Sequence, residues 1–151
     1  MVRIFGLAVL LLILGCGSTA PAYKTSAKQA ASIQARHAGS LRQAIAYEQS
    51  CNSFECLVAV NLLNRWGKIA DYAATLSADF KAAKPVEPEV ARLTDDTIEA
   101  ADRISTSYAA FNSCARQAGS VQPCGTEENA AESAWGPLLS VLDGWKPYGG
   151  G

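Results

Sequence analysis

The chain holds one histidine, His37, and one methionine, Met1. A lone imidazole cannot furnish the Glu-x-x-His pairs of di-iron bundles, and it leaves a Ser-His-Asp or Cys-His arrangement with a single candidate base. Thioether-rich copper chemistry is excluded too, since Met1 is the only thioether. Lys and Arg number 13 against 14 Asp and Glu, so the dense basic patches that hold nucleic acid are missing and no nucleic-acid partner is expected. The sequence has no G-x-S-x-G elbow, no phosphate loop and no S-x-x-K with its companion motifs; an enzyme is not expected, nor is a cofactor or a bound metal. It also lacks solenoid-length repeats and runs in which Val, Ile and aromatics alternate with polar residues, which removes repeat arrays and sheets from consideration.

What is there begins at the first residues. Met1-Val2-Arg3 carries one positive charge, residues 4–14 are apolar, and Gly15-Cys16-Gly17-Ser18 closes the run with small residues. That order marks a secretory leader. Eleven residues of helix rise roughly 16 Å, about half of the hydrocarbon layer, so the run is too short to stay in a membrane as a span. The stretch Ile13-Leu14-Gly15-Cys16 resembles the lipobox of bacterial lipoproteins, the site cut by the lipoprotein signal peptidase. The resemblance covers about the first seventeen residues, and Leu14 stands where the family more often has Ala, Ser or Thr. It implies cleavage before Cys16, a diacylglycerol on the Cys16 sulfur, and a signal peptide over residues 1–15. Gly17 is not the aspartate that in some diderm bacteria retains lipoproteins in the inner membrane. Residues 16–24, mostly Gly, Ser, Thr, Ala and Pro, read as a lipidated tether. The expected location is the extracytoplasmic side of a bacterial envelope membrane, with the membrane itself a partner through Cys16. An ordinary leader cut after Ala20 or Ala22 is the competing reading.

The cysteine count agrees with a lipidated Cys16. Five is an odd number for an exported chain, and setting Cys16 aside leaves Cys51, Cys56, Cys114 and Cys124, enough for two disulfides. Three pairings are open. Cys51 with Cys56 and Cys114 with Cys124 are preferred because each closes a local loop. The spacings C-x4-C and C-x9-C, with only His37 beside them, do not make a zinc set, and no C-x-x-C redox motif is present.

Alanine occurs 27 times, and four segments carry a helical apolar period. The first covers residues 25–50, with Ile33, His37 or Ala38, Leu41 and Ile45 on its stripe. The second follows a cap at Ser53 and runs to about residue 83 through Phe54, Val58, Leu62, Trp66, Ile69, Ala73, Leu76 and Phe80; Pro85 and Pro88 end it. The third starts at Pro88 and stops near Gln117 before Gly119. The fourth runs from a cap at Thr126 to about Leu142 through Ala131, Trp135 and Leu138, and Pro137 should kink or split it. The expectation is an all-α antiparallel four-helix bundle over residues 25–146, roughly 40 to 45 Å tall, with a flexible tail at 147–151. Cys51 and Cys56 flank the first turn and Cys114 and Cys124 the third, so both disulfides are expected at the membrane-distal end.

Asp95, Asp96, Glu99 and Asp102, with Arg92 and Arg103, read as a solvated face, and His37 as a boundary residue. The first helix is net basic through Lys24, Lys28, Arg36 and Arg42 against Glu48; the third is net acidic, and such opposed faces can guide a partner. The aromatics Trp66, Tyr72, Phe80, Tyr108, Phe111, Trp135 and Trp145 fall at core spacing. Trp145 and Tyr148 are expected against lipid headgroups. Together these features favour a non-catalytic, lipid-anchored interaction module that meets an envelope protein or surface polymer; small lipoproteins of this kind include envelope adaptors and prophage-encoded factors that exclude a second phage. The alternative is a carrier or sensor of a small apolar ligand held between helices that part at Pro137.

Overall fold

The computed structural model describes residues 24–51 and 58–150. The leader, Cys16 and most of the tether lie outside them, as do Ser53, Phe54 and Cys56.

Helix α1, Ala27–Ser50, opens on a capping box. The Gln29 N–H donates to Ser26 Oγ at 3.3 Å and the Ser26 N–H to Gln29 Oε1 at 2.9 Å, which satisfies two of the donors a helix start leaves free. Thr25, expected inside the helix, is instead drawn into an isolated bridge with Val86. Helix α2, Ala59–Ala83, buries Trp66, Ile69, Ala73, Leu76 and Phe80 of the predicted stripe; Leu62 is part-buried, and Val58, expected within the helix, is its cap residue and 38% exposed. Helix α3, Pro88–Ala118, has its proline in the first turn and ends at Gly119, whose φ of 68° is the left-handed conformation that glycine adopts without steric penalty.

The fourth segment departs from expectation. A 3-10 turn, Gln122–Cys124, leads into α4, Gly125–Ser133, and α5, Trp135–Asp143. The cap position falls on Cys124, and Thr126 lies inside the first turn. The break comes at Ala134, before Pro137. The reason is the reach of proline: a residue at 137 would normally bond the carbonyl of Ser133, and the pyrrolidine ring both removes that donor and crowds that carbonyl. Pro137 itself then sits in the first turn of α5, where a missing N–H costs little.

Among the described residues the architecture is helical, with α3 in contact with α2, α4 and α5, while α1 packs mainly on α2 and also meets α3 and α5. One apolar core joins them. It contains two aromatic clusters. In one, Trp66 lies 5.0 Å from Phe111 and 5.1 Å from Trp135 between ring centroids. In the other, Phe80 stacks on Trp145 at 5.1 Å and Tyr148 meets Trp145 edge-on at 6.1 Å.

Trp145 therefore does not face lipid headgroups: it is 0% exposed. Its indole N–H donates to Thr97 Oγ1 at 3.0 Å, and Gly144 lets the end of α5 come close to α3, since a Cβ there would lie 2.9 Å from Leu93. The chain after it turns back through a 3-10 turn, Lys146–Tyr148, and the Gly150 N–H donates to the Trp145 carbonyl at 3.0 Å. A disulfide joins Cys114 to Cys124, with Cα atoms 5.9 Å apart. Cys51 is also disulfide-bonded. No helix among the described residues is long and apolar enough to cross a membrane.

Candidate functional site

The last turns of α1 and the first half of α2 run side by side, and their facing residues follow helical spacing. Ser40, Gln43, Ala44, Tyr47 and Glu48 recur at threes and fours along α1; Arg65, Lys68 and Tyr72 do so along α2. Together they line a groove of about 390 Å³. Tyr47 is 55% exposed and Tyr72 40%, two of the large apolar side chains left in water.

The wall of this groove is braced from below. The Glu48 side chain is 5% exposed and accepts from Arg65 Nε, from Arg65 Nη2 at 3.3 Å and from Trp66 Nε1 at 3.1 Å. A carboxylate with so little water needs such donors. The Arg65 guanidinium in turn lies over the Tyr47 ring, 5.8 Å from its centroid. A continuous set of contacts thus runs from the buried Phe111–Trp66–Trp135 cluster through Glu48 and Arg65 to an exposed ring. Lys68 lines the groove without a carboxylate partner among the described residues. On the far side of Glu48 is a second hollow, lined by Gln49, Asn129, Glu132, Ser133 and Trp135. Nearby, burial pushes the Glu128 carboxyl above its ordinary value, and the charge of Glu132 adds to the effect.

The residues singled out from sequence lie elsewhere. His37 Nε2 sits 2.8 Å from Asp79 Oδ2, with Arg36 Nη2 at 3.4 Å from the same oxygen, so the imidazole joins α1 to α2 at a half-exposed ion pair. The acids of α3 take separate partners: Asp95 with Lys84, Asp96 with Arg92 at 3.8 Å, Glu99 with Arg103 at 3.1 Å, and Asp102 with Lys81 at 2.8 Å. Asp102 also accepts from Ser77 Oγ at 2.6 Å. Burial pushes its carboxyl up, but the bonds from Lys81 and Ser77 outweigh that and leave it below the ordinary range. Among the described residues no group of three or more His, Cys, Asp or Glu converges as a metal site.

Of the aromatics read as core, Trp66, Phe80, Phe111, Trp135 and Trp145 are buried, Tyr108 is part-buried with its hydroxyl donating to Leu63 O at 3.0 Å, and only Tyr72 reaches the groove. Tyr47, Glu48, Arg65 and Lys68 were not legible as a site. Tyr47 carries the one available signal: an aromatic ring off the Ile33–Leu41–Ile45 stripe.

Among the described residues, fold and groove define an all-α domain with an amphipathic groove between two helices. Compared with family models, curated protein sequences and solved structures, the chain matches none. The cleft offers two phenol rings, an amide, a hydroxyl and a cation, a set suited to holding a ligand.

Proposed function

We propose that the chain is a lipid-anchored, non-catalytic interaction module on the extracytoplasmic side of a bacterial envelope, holding the α1–α2 groove toward a protein or polymer of that envelope. The observation that carries the binding role is the pair Tyr47 and Tyr72, left in water on rigid helices, with Tyr47 braced by the buried Glu48–Arg65–Trp66 set. Exposed rings on a fixed backbone lose little freedom when a partner covers them. The anchor rests on Ile13-Leu14-Gly15-Cys16.

In this reading the helices form an antiparallel four-helix bundle, α4 and α5 together making the fourth, with two disulfides at the end away from the membrane. Two sets of contacts support it. The Lys24 N–H donates to Pro85 O at 3.0 Å and the Glu87 N–H to Thr25 O at 3.1 Å, tying the start of α1 to the α2–α3 turn. The Glu48–Trp66–Phe111–Trp135 contacts draw together the end of α1, the beginning of α2 and the later turns of α3. Tyr47 lies about 30 Å along α1 from its start, which would keep the groove clear of the lipid surface.

The test is made in a bacterial host, with the full chain carrying a photo-crosslinker at Gln43. Wild type should fractionate with membranes and carry a diacylated Cys16; Cys16→Ser should become soluble. Tyr47→Ala with Tyr72→Ala should stay folded and membrane-bound but lose the groove cross-link. An unlipidated Cys16, or a cross-link indifferent to both tyrosines, would overturn the reading.

A further inference from the structure

We infer that the ligand of the α1–α2 groove is a saccharide chain carrying an anionic substituent. This rests on the binding role proposed above for the same groove and names its occupant by chemistry.

The lining discriminates between classes of polymer. Among the described residues of the lining Ala44 is the only aliphatic side chain, and these residues offer no apolar socket for the Leu, Phe or Met anchor by which a peptide helix docks. It presents instead the rings of Tyr47 and Tyr72, the Ser40 hydroxyl, the Gln43 amide and the phenol hydroxyls. A pyranose is built to match: one face of C–H bonds lies flat on an aromatic ring, while hydroxyls around the rim donate to and accept from amides and hydroxyls. Tyrosine suits this use because it supplies a broad, stiff contact with few torsions to freeze. Tyr47 has part of that cost removed already, since Arg65 lies over its ring and is itself held by Glu48.

Charge sets the second feature. Among the described residues of the lining Glu48 carries the one carboxylate, but Arg65 neutralises it and only 5% of its side chain meets water. Lys68 is left as an exposed ammonium on the same wall with no carboxylate partner among the described residues. A carboxylate or phosphate on the sugar would find its counter-ion there. The volume, about 390 Å³, lies within the range of small-ligand clefts and fits a short stretch of such a chain.

The experiment is calorimetric titration of the full chain in detergent with three probes: tetragalacturonate, the neutral maltotetraose and hexaglutamate. Tetragalacturonate should bind, with maltotetraose weaker by about tenfold for the lost ion pair. Tyr72→Ala should weaken both sugars about tenfold or more, Tyr72→Phe should keep most of the affinity, and Lys68→Gln should abolish the difference between the charged and neutral sugars. Unchanged thermal unfolding of each variant excludes misfolding as the cause. Tighter binding of hexaglutamate than of either sugar would overturn the inference, as would sugar binding indifferent to Tyr72→Ala. If neither sugar titrates while the Gln43 cross-link still depends on Tyr47 and Tyr72, the saccharide is overturned and the binding role stands; if the cross-link is also indifferent, both fall.

Discussion

Trp66 and Trp145 are both buried indoles with one N–H to satisfy, and the molecule satisfies them in opposite ways. Trp145 donates to the neutral hydroxyl of Thr97, stacks on Phe80 and is closed over by the returning chain at residues 146–150. Trp66 donates to a carboxylate, Glu48, which also grips Arg65, and Arg65 covers a tyrosine that stands in water. The first cluster ends in itself. The second leads outward, and the groove lies at its edge. A neutral partner is sufficient where an indole only has to be buried; a charged one, which is costly to bury, is found where the core must hold a surface in position.

The largest way to break this contrast is Trp145→Ala. Removing a fully buried indole should cost about 3 to 5 kcal/mol, read as a lowered denaturation midpoint. A loss below about 1 kcal/mol would mean that the closed cluster is not a packing centre. Glu48→Ala should cost about 3 kcal/mol, because it removes the buried carboxylate that Arg65 bonds and leaves the Trp66 N–H without its acceptor. Unlike Trp145→Phe, it should also weaken the groove, measured by the Gln43 cross-link. Equal effects of the two on the cross-link would erase the distinction between the clusters. Next comes the double variant Cys114→Ala with Cys124→Ala. The bridge closes a loop of sequence separation 10 one turn beyond Phe111, and its loss should cost about 2 kcal/mol, chiefly by freeing the unfolded chain. Calorimetry on the double variant checks this.

How much of this was legible depends on how local each cause is. The limits of α3 were, because Pro88 and Gly119 each act on their own turn. The stripes through Leu41 and Ile69 were, because a period of 3.6 needs only one helix. The capping box at Ser26 and Gln29 is equally local, but the apolar period alone draws the start two residues too early. Pro137 was legible as a breaker, yet its effect falls four residues upstream, on the Ser133 carbonyl. Trp145 fell on the edge of a stripe, and its burial depends on the chain turning back beyond it, which no periodicity encodes. The groove was the least legible. Tyr72 was seen as a core aromatic, and Tyr47, Glu48, Arg65 and Lys68 come together only through the rotation of α1 against α2. Ile45, Trp66 and Ile69 share the buried core, and the rotation by which the two helices meet there lies in three dimensions and not in spacing.

The smallest effect sharpens the comparison most, because it concerns an ion pair that the solvent reaches. Asp79 precedes Phe80 beside the closed cluster and meets His37 at 2.8 Å and Arg36 at 3.4 Å. The His37 hydrogen bond holds its carboxyl below the ordinary 3.8; burial pulls the other way and Arg36 adds to the lowering. As pH falls, the unfolded chain takes up this proton first. The stabilisation is therefore complete above 3.8 and is lost as pH drops through the lower folded value. With Asp79 39% exposed, water screens the pair, so Asp79→Asn should cost less than about 1 kcal/mol near neutral pH. Unfolding midpoints of wild type and Asp79→Asn, followed from about pH 7 to about pH 2.5 at low salt, should differ most at the neutral end and converge in acid. A gap that widens in acid would show the sign to be wrong, and a gap as large as that of Glu48→Ala would show that exposure does not separate the two carboxylates. Convergence from a small gap would show that a carboxylate braces this molecule only where water is kept out, which is the difference between the half-exposed Asp79 and the Glu48 beneath the groove.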